Sequence, residues 1–230
     1  MPKIKNANLL KLADPDTFNQ CLRRTNERYR RFDAATYLYR ELLEKHAAQR
    51  LEDLLGDGRF FELVYATLCA FNMNQRAAKL LPLEDFKRNV KSLKGDLVAL
   101  SGKRLDSLSD EEFESELKIV QRLFGKIEVM QGASQIVGIS KTLHFLLPNL
   151  VILVDRKYTL NFFYGANIYY KDREPEWRLF EQILRFCHMI AKQIKRYDVA
   201  NERDPIPKII DKAIIGFRDP GAVQRKSSQS

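Results

Sequence analysis

Gln135–Tyr158 reads QIVGISKTLHFLLPNLVILVDRKY, and its order of elements decides the fold class. A helical apolar pattern near Ser140–Leu147 meets Pro148-Asn149, and proline does not continue a helix interior. The chain then reads as an extended run, Leu150–Val154. Asp155 follows as a natural N-cap for another helix that ends near Gly165. The one strand-like stretch is therefore a connector between helices, and it has no alternating partner elsewhere in the chain.

Working outward, helical periodicity dominates. Asp16 can cap a helix to about Phe32, and a second is expected over Ala34–Leu55, where Leu38, Leu42, His46, Leu51 and Leu55 recur at helical spacing. Phe60–Phe71 is apolar almost all round, which places it at the centre of the fold. Leu83–Leu100 is amphipathic, with Lys87, Arg88, Lys91 and Lys94 on its polar side. Ser109 and Glu112 form a capping box for a helix with core face Phe113, Leu117, Val120 and Phe124. Glu174–Tyr197 buries Trp177, Phe180, Leu184 and Cys187, and Pro205 and Pro207 start a last helix, Lys208–Phe217. The expectation is an all-α globular domain over residues 1–217, with a candidate lobe junction near 101–109. Residues 218–230 lack apolar periodicity and read as a disordered tail.

Of 230 residues, 45% are hydrophobic and 30% charged, so the chain can bury a core and is not intrinsically disordered. Lys and Arg number 39 against 30 Asp and Glu, a net charge of +9 that favours an anionic partner. The basic N-terminus has no apolar run after it, so no signal peptide is expected, and no window has the length of a spanning helix. Cys21, Cys69 and Cys187 are far apart and odd in number, which suits buried thiols in a reducing, cytoplasmic setting. No metal-ligand spacing, nucleophile elbow, P-loop or dinucleotide fingerprint occurs, so neither a metal nor a cofactor is expected.

The positive charge has candidate destinations. Gly138 and Ser140 stand at one helix start, where free amides and the helix dipole attract anions, and Lys141 stands beside them. Arg156 and Lys157 occupy a first turn, where the dipole disfavours cations; a bound phosphate would resolve that conflict. Asp155 is the candidate general base. Arg24, Arg28 and Arg31 share a helical face near Tyr29 and Phe32, a pattern suited to phosphate contact and base stacking. Asn72, Asn74, Gln75, Arg76 and Lys79 follow the Phe60–Phe71 helix and can line a cleft. His144 is a candidate acid–base partner or a hydrogen-bonded core residue.

The order glycine, lysine, apolar helix, extended Val-Asp and basic helix resembles the helix-hairpin-helix DNA glycosylase core over about Gly132–Gly165. The resemblance implies that the hairpin around Gly138 and Ser140 binds a DNA phosphate, with Lys141 as a possible nucleophile and Asp155 as the catalytic carboxylate. Ser140 stands near the place of one hairpin glycine, and no cysteine cluster for an iron–sulfur site follows. Phe71–Leu80 together with Val137–Phe163 is also similar to an uncharacterised family of microbial conserved proteins, which implies that the Asn-rich helix end faces the Asp155 region. Two rival readings are a non-catalytic interaction domain and, from Arg40 and His46, a HEPN-like ribonuclease. The function expected is nucleic-acid binding with base-processing chemistry at Asp155.

Overall fold

The computed structural model describes residues 2–28, 33–74 and 79–218. Among these residues the fold is all-α, and the only β pairing is an isolated bridge between Leu80 and Met130. The helices are α1 (Asn6–Ala13), α2 (Pro15–Arg28), α3 (Ala34–Ala48), α4 (Leu51–Leu54), α5 (Gly58–Ala70) and α6 (Leu83–Ser92). They continue as α7 (Lys94–Ala99), α8 (Asp110–Lys126), α9 (Ile136–Leu146), α10 (Asn161–Tyr164), α11 (Arg173–Lys192) and α12 (Ile206–Arg218). A π-helical turn, Arg156–Leu160, leads directly into α10.

Local chemistry explains where the boundaries depart from periodicity. Asp14 accepts from both the amide and the hydroxyl of Thr17, so α2 begins at Pro15 and Asp14 is its cap in place of Asp16. The expected Ala34–Leu55 helix breaks where Gln49 turns extended, giving α3 and α4. Leu83–Leu100 likewise divides at Leu93 into α6 and α7. The Ser109–Glu112 capping box is present in full. α12 includes Arg218, so the expected tail starts one residue late, and its remainder lies outside the described residues.

The centre of the fold is α9, not the Phe60–Phe71 helix. All eleven residues of α9 are buried, whereas α5 buries Phe60, Phe61, Val64, Thr67 and Leu68 and exposes Glu62 and Ala66. α9 packs between α5 and α11. Continuous apolar packing runs from Leu12 on α1 to Ile214 on α12. α2 and α12 approach most closely: Gly216 lies against the Cys21 carbonyl and the Thr25 side chain, and Thr25 Oγ1 donates to Lys212 O at 2.7 Å. No helix of the described residues is long and apolar enough to cross a membrane.

Candidate functional site

In a helix buried on every side most polar side chains find partners inside the protein, although Thr142 Oγ1 of α9 has none among the described residues. In α9, Ser140 and His144 are one turn apart and face the extended connector. Ser140 Oγ accepts from Val154 N at 3.1 Å and donates to Val137 O at 3.1 Å. His144 Nδ1 donates to Val151 O at 2.6 Å. That bond fixes the tautomer, so Nε2 accepts from Tyr39 Oη at 2.7 Å. Burial lowers the His144 pKa to about 3, so the ring is neutral. Among the described residues no strand lies beside the connector, and these two side chains take part of the place of one. They fix the backbone that delivers Asp155.

The phosphate expectation for Gly138 and Ser140 meets a physical obstacle. The start of α9 already holds an anion, the Glu176 carboxylate from α11. Glu176 accepts from Ser134 Oγ at 2.5 Å, from Gln135 N at 3.0 Å and from Ile136 N at 3.1 Å, and it is 1% exposed. Ser140 is fully buried, and a Cβ at Gly138 would lie 2.6 Å from Met130 Cγ and Sδ. Gly138 packs against the Met130 side chain, and neither residue is presented to an outside ligand.

Asp155, Lys141, Lys208 and Asp211 converge instead. Asp155 caps the π-turn, accepting from Tyr158 N at 2.6 Å, while its own amide donates to Thr159 Oγ1 at 3.2 Å. Lys141 reaches from α9 to the end of α5, donating to Phe71 O at 3.1 Å with its ammonium 5.5 Å from the Phe71 ring centroid. Lys208 from α12 lies 5.6 Å from the same centroid and pairs with Asp211 at 2.7 Å, both side chains largely buried. Two ammonium groups thus lie near one aromatic ring, with Asp211 paired to one of them and Asp155 influencing the other.

Burial shifts the acidities of Asp155 and Lys141 in opposite directions. Burial raises the Asp155 carboxyl above its usual range; the Tyr158 amide opposes this, Asp211 adds to it and Lys141 opposes it. Burial lowers the Lys141 ammonium, against the pull of Asp155 and Asp211, and Lys208 lowers it further. A carboxyl and an amine whose charged forms are both disfavoured by burial are candidates for proton transfer.

The remaining predicted residues divide by place. Arg156 is half-buried beside Ser134, and Lys157 is exposed on the same turn. Arg24 is half-buried and Arg28 exposed on α2, and Lys79 is exposed before the Leu80 bridge. Arg31, Gln75 and Arg76, with Tyr29 and Phe32, lie outside the described residues. Asn72 takes a left-handed conformation, φ 63°, just beyond Phe71, so the Asn-rich end of α5 does adjoin Lys141. Arg40 is exposed, while His46 is half-buried and donates through Nε2 to Phe145 O at 2.8 Å. The two lie six positions apart on α3, so their side chains point about 120° apart. Cys21 and Cys187 are buried and Cys69 partly so, all as free thiols.

Two clefts, of about 550 and 540 Å³, meet at His46, Ala47, Pro148 and Asn149, and neither includes Lys141 or Asp155. No group of three or more His, Cys, Asp or Glu side chains among the described residues is arranged to hold a metal ion.

Sequence reasoning missed Glu176, Tyr39, Lys208 and Asp211. The first and last carried a signal: Glu176 shares a helical stripe with Phe180 and Ile183, and Asp211 shares one with Pro207 and Ile214. A carboxylate on an apolar stripe is rarely buried without a partner. In comparisons with protein families, curated proteins and solved structures, nothing matches this chain.

Proposed function

We propose that this protein binds nucleic acid and processes it at Asp155, in the manner the glycosylase resemblance implies. The observation that carries the reading is the Asp155 carboxyl, its pKa raised by burial and influenced by the Lys141 ammonium, at the head of a turn bearing Arg156 and Lys157. Asp155 acts as general base or electrostatic stabiliser, with Lys141 holding its charge. Lys208–Asp211 sets the local field from α12. Arg156, Lys157 and the α2 arginines supply phosphate contacts, and the excess positive charge draws the polyanion in. A reducing cytoplasm suits the three free thiols.

The test is fluorescence anisotropy with labelled single-stranded DNA, duplex DNA and RNA at about 50 and 200 mM salt, a range over which several phosphate contacts lose orders of magnitude in affinity. Base release from single strands and duplexes carrying damaged bases is followed in parallel. Asp155→Asn keeps an equally good N-cap, so the turn survives the change. Base release is expected to vanish in that variant while affinity stays within about twofold of the parent. Absence of binding at low salt overturns the function, and base release that persists in Asp155→Asn overturns the catalytic assignment.

A further inference from the structure

Tyr169 is 67% exposed, in the segment between α10 and α11. Its ring is not loose on the surface. The Arg156 guanidinium lies 4.2 Å from the ring centroid, and Arg156 Nη2 donates to Ser134 Oγ at 2.7 Å. Ser134 is held in turn by buried Glu176. A chain of three contacts therefore runs from the protein interior to the Tyr169 ring. The Arg156 Nε is buried with no hydrogen-bond partner among the described residues. With one face of the ring on the guanidinium and two thirds of the residue exposed, apolar and π surface is left facing solvent. That is a preorganised stacking surface with a cation behind it.

One residue further on, the Lys157 ammonium sits 4.8 Å from the Tyr158 ring centroid. Among the described residues, Lys157, Tyr158, Asn161 and Arg218 line a hollow of about 320 Å³, and two of the four are cations. A stacking surface and a cation-lined hollow thus occupy consecutive positions of the turn that Asp155 opens. Nucleic acid presents the matching pair of groups, a flat base and a phosphate. Only an unpaired base exposes a face for stacking.

We infer that the Arg156–Tyr169 pair is a stacking platform for one unpaired base of a single-stranded nucleic acid, with a neighbouring phosphate received by Lys157 and Arg218. This rests on the nucleic-acid reading above and narrows its ligand to unpaired strands. The test compares the full chain with Tyr169→Ala, Tyr169→Phe and Arg218→Gln, by anisotropy on a short labelled single strand and on the matching duplex across a salt series. Circular dichroism melting of each variant checks that it is folded.

Tyr169→Ala is expected to weaken single-strand binding about tenfold with an unchanged salt slope, because a stacking contact and no phosphate contact is lost. Tyr169→Phe should retain parental affinity. Arg218→Gln should lower the slope by about one. Single-strand affinity of Tyr169→Ala within twofold of the parent overturns the platform while leaving nucleic-acid binding intact. Equal losses on single strand and duplex overturn it as well, since a paired base offers no free face. Failure of the parent chain to bind any strand overturns the function and the platform together.

Discussion

Replacing Glu176 by alanine tests whether an internal carboxylate occupies the start of α9. In the native protein it receives the amides of Gln135 and Ile136 and the hydroxyl of Ser134. Alanine leaves these donors without an acceptor. A buried donor left unpaired costs about 1–3 kcal/mol. The hydroxyl can turn to another acceptor, and water entering the vacated space offsets part of the loss at the two amides. The net destabilisation expected is about 3–4 kcal/mol, a large share of the roughly 5–15 kcal/mol available to a folded domain. For a chain of this length that corresponds to a fall in melting temperature of about 6–16 °C. Glu176→Gln keeps one carbonyl oxygen and should lose about half as much. Urea denaturation at neutral pH reads both values. Formate or sulfate should then stabilise Glu176→Ala more than the parent, because the emptied helix end accepts an outside anion. A Glu176→Ala protein within 1 kcal/mol of the parent, or one indifferent to added anions, would refute the reasoning.

His144, held neutral with its pKa lowered to about 3, binds fewer protons in the folded than in the unfolded state below about pH 6.5. Stability therefore falls as pH falls, by about 2 kcal/mol between pH 7 and 5 from this ring. His46 shifts in the same direction through burial, whereas Asp155, raised when folded, acts in the opposite one. Proton NMR of the His144 ring should show no titration between pH 7 and 5, and a midpoint near 6 would contradict its placement. Gly216→Ala drives a methyl group into the Cys21 carbonyl and should destabilise by at least 2 kcal/mol in a thermal melt. Gly125→Ala in α8 meets open space and should stabilise by about 0.5–1 kcal/mol, so a reversed order of these two variants would show the α2–α12 contact to be misplaced.

Much of the architecture was legible because local signals agreed with one another. The capping box at Ser109, the Asp155 cap and the Gly165 terminus all depend on residues within four positions of each other, and each forms as expected. Breaks at Gln49 and Leu93 were not legible: periodicity continues through both, and only packing fixes the extended conformation at one and the change of direction at the other. The site was half legible. Asp155 and Lys141 could be named from one stretch, but their partners Lys208 and Asp211 arrive from α12, more than fifty residues later. Reading Gly138 and Ser140 as phosphate ligands failed for a definite reason. A free helix start and one already filled by a distant carboxylate are identical in local sequence, and Glu176 lies forty residues beyond Ile136.

The contact between α2 and α12 also sets an order of events in time. α2 is complete at Arg28, and the helix that covers it begins only at Ile206. At synthesis rates of about 5–20 residues per second, roughly 10–35 s pass between the two. Through that interval Phe18, Cys21 and Leu22 belong to a nascent chain whose covering helix does not yet exist. α2 is thus made long before the helix that encloses it, and through that interval its apolar face is open to a chaperone that holds apolar segments.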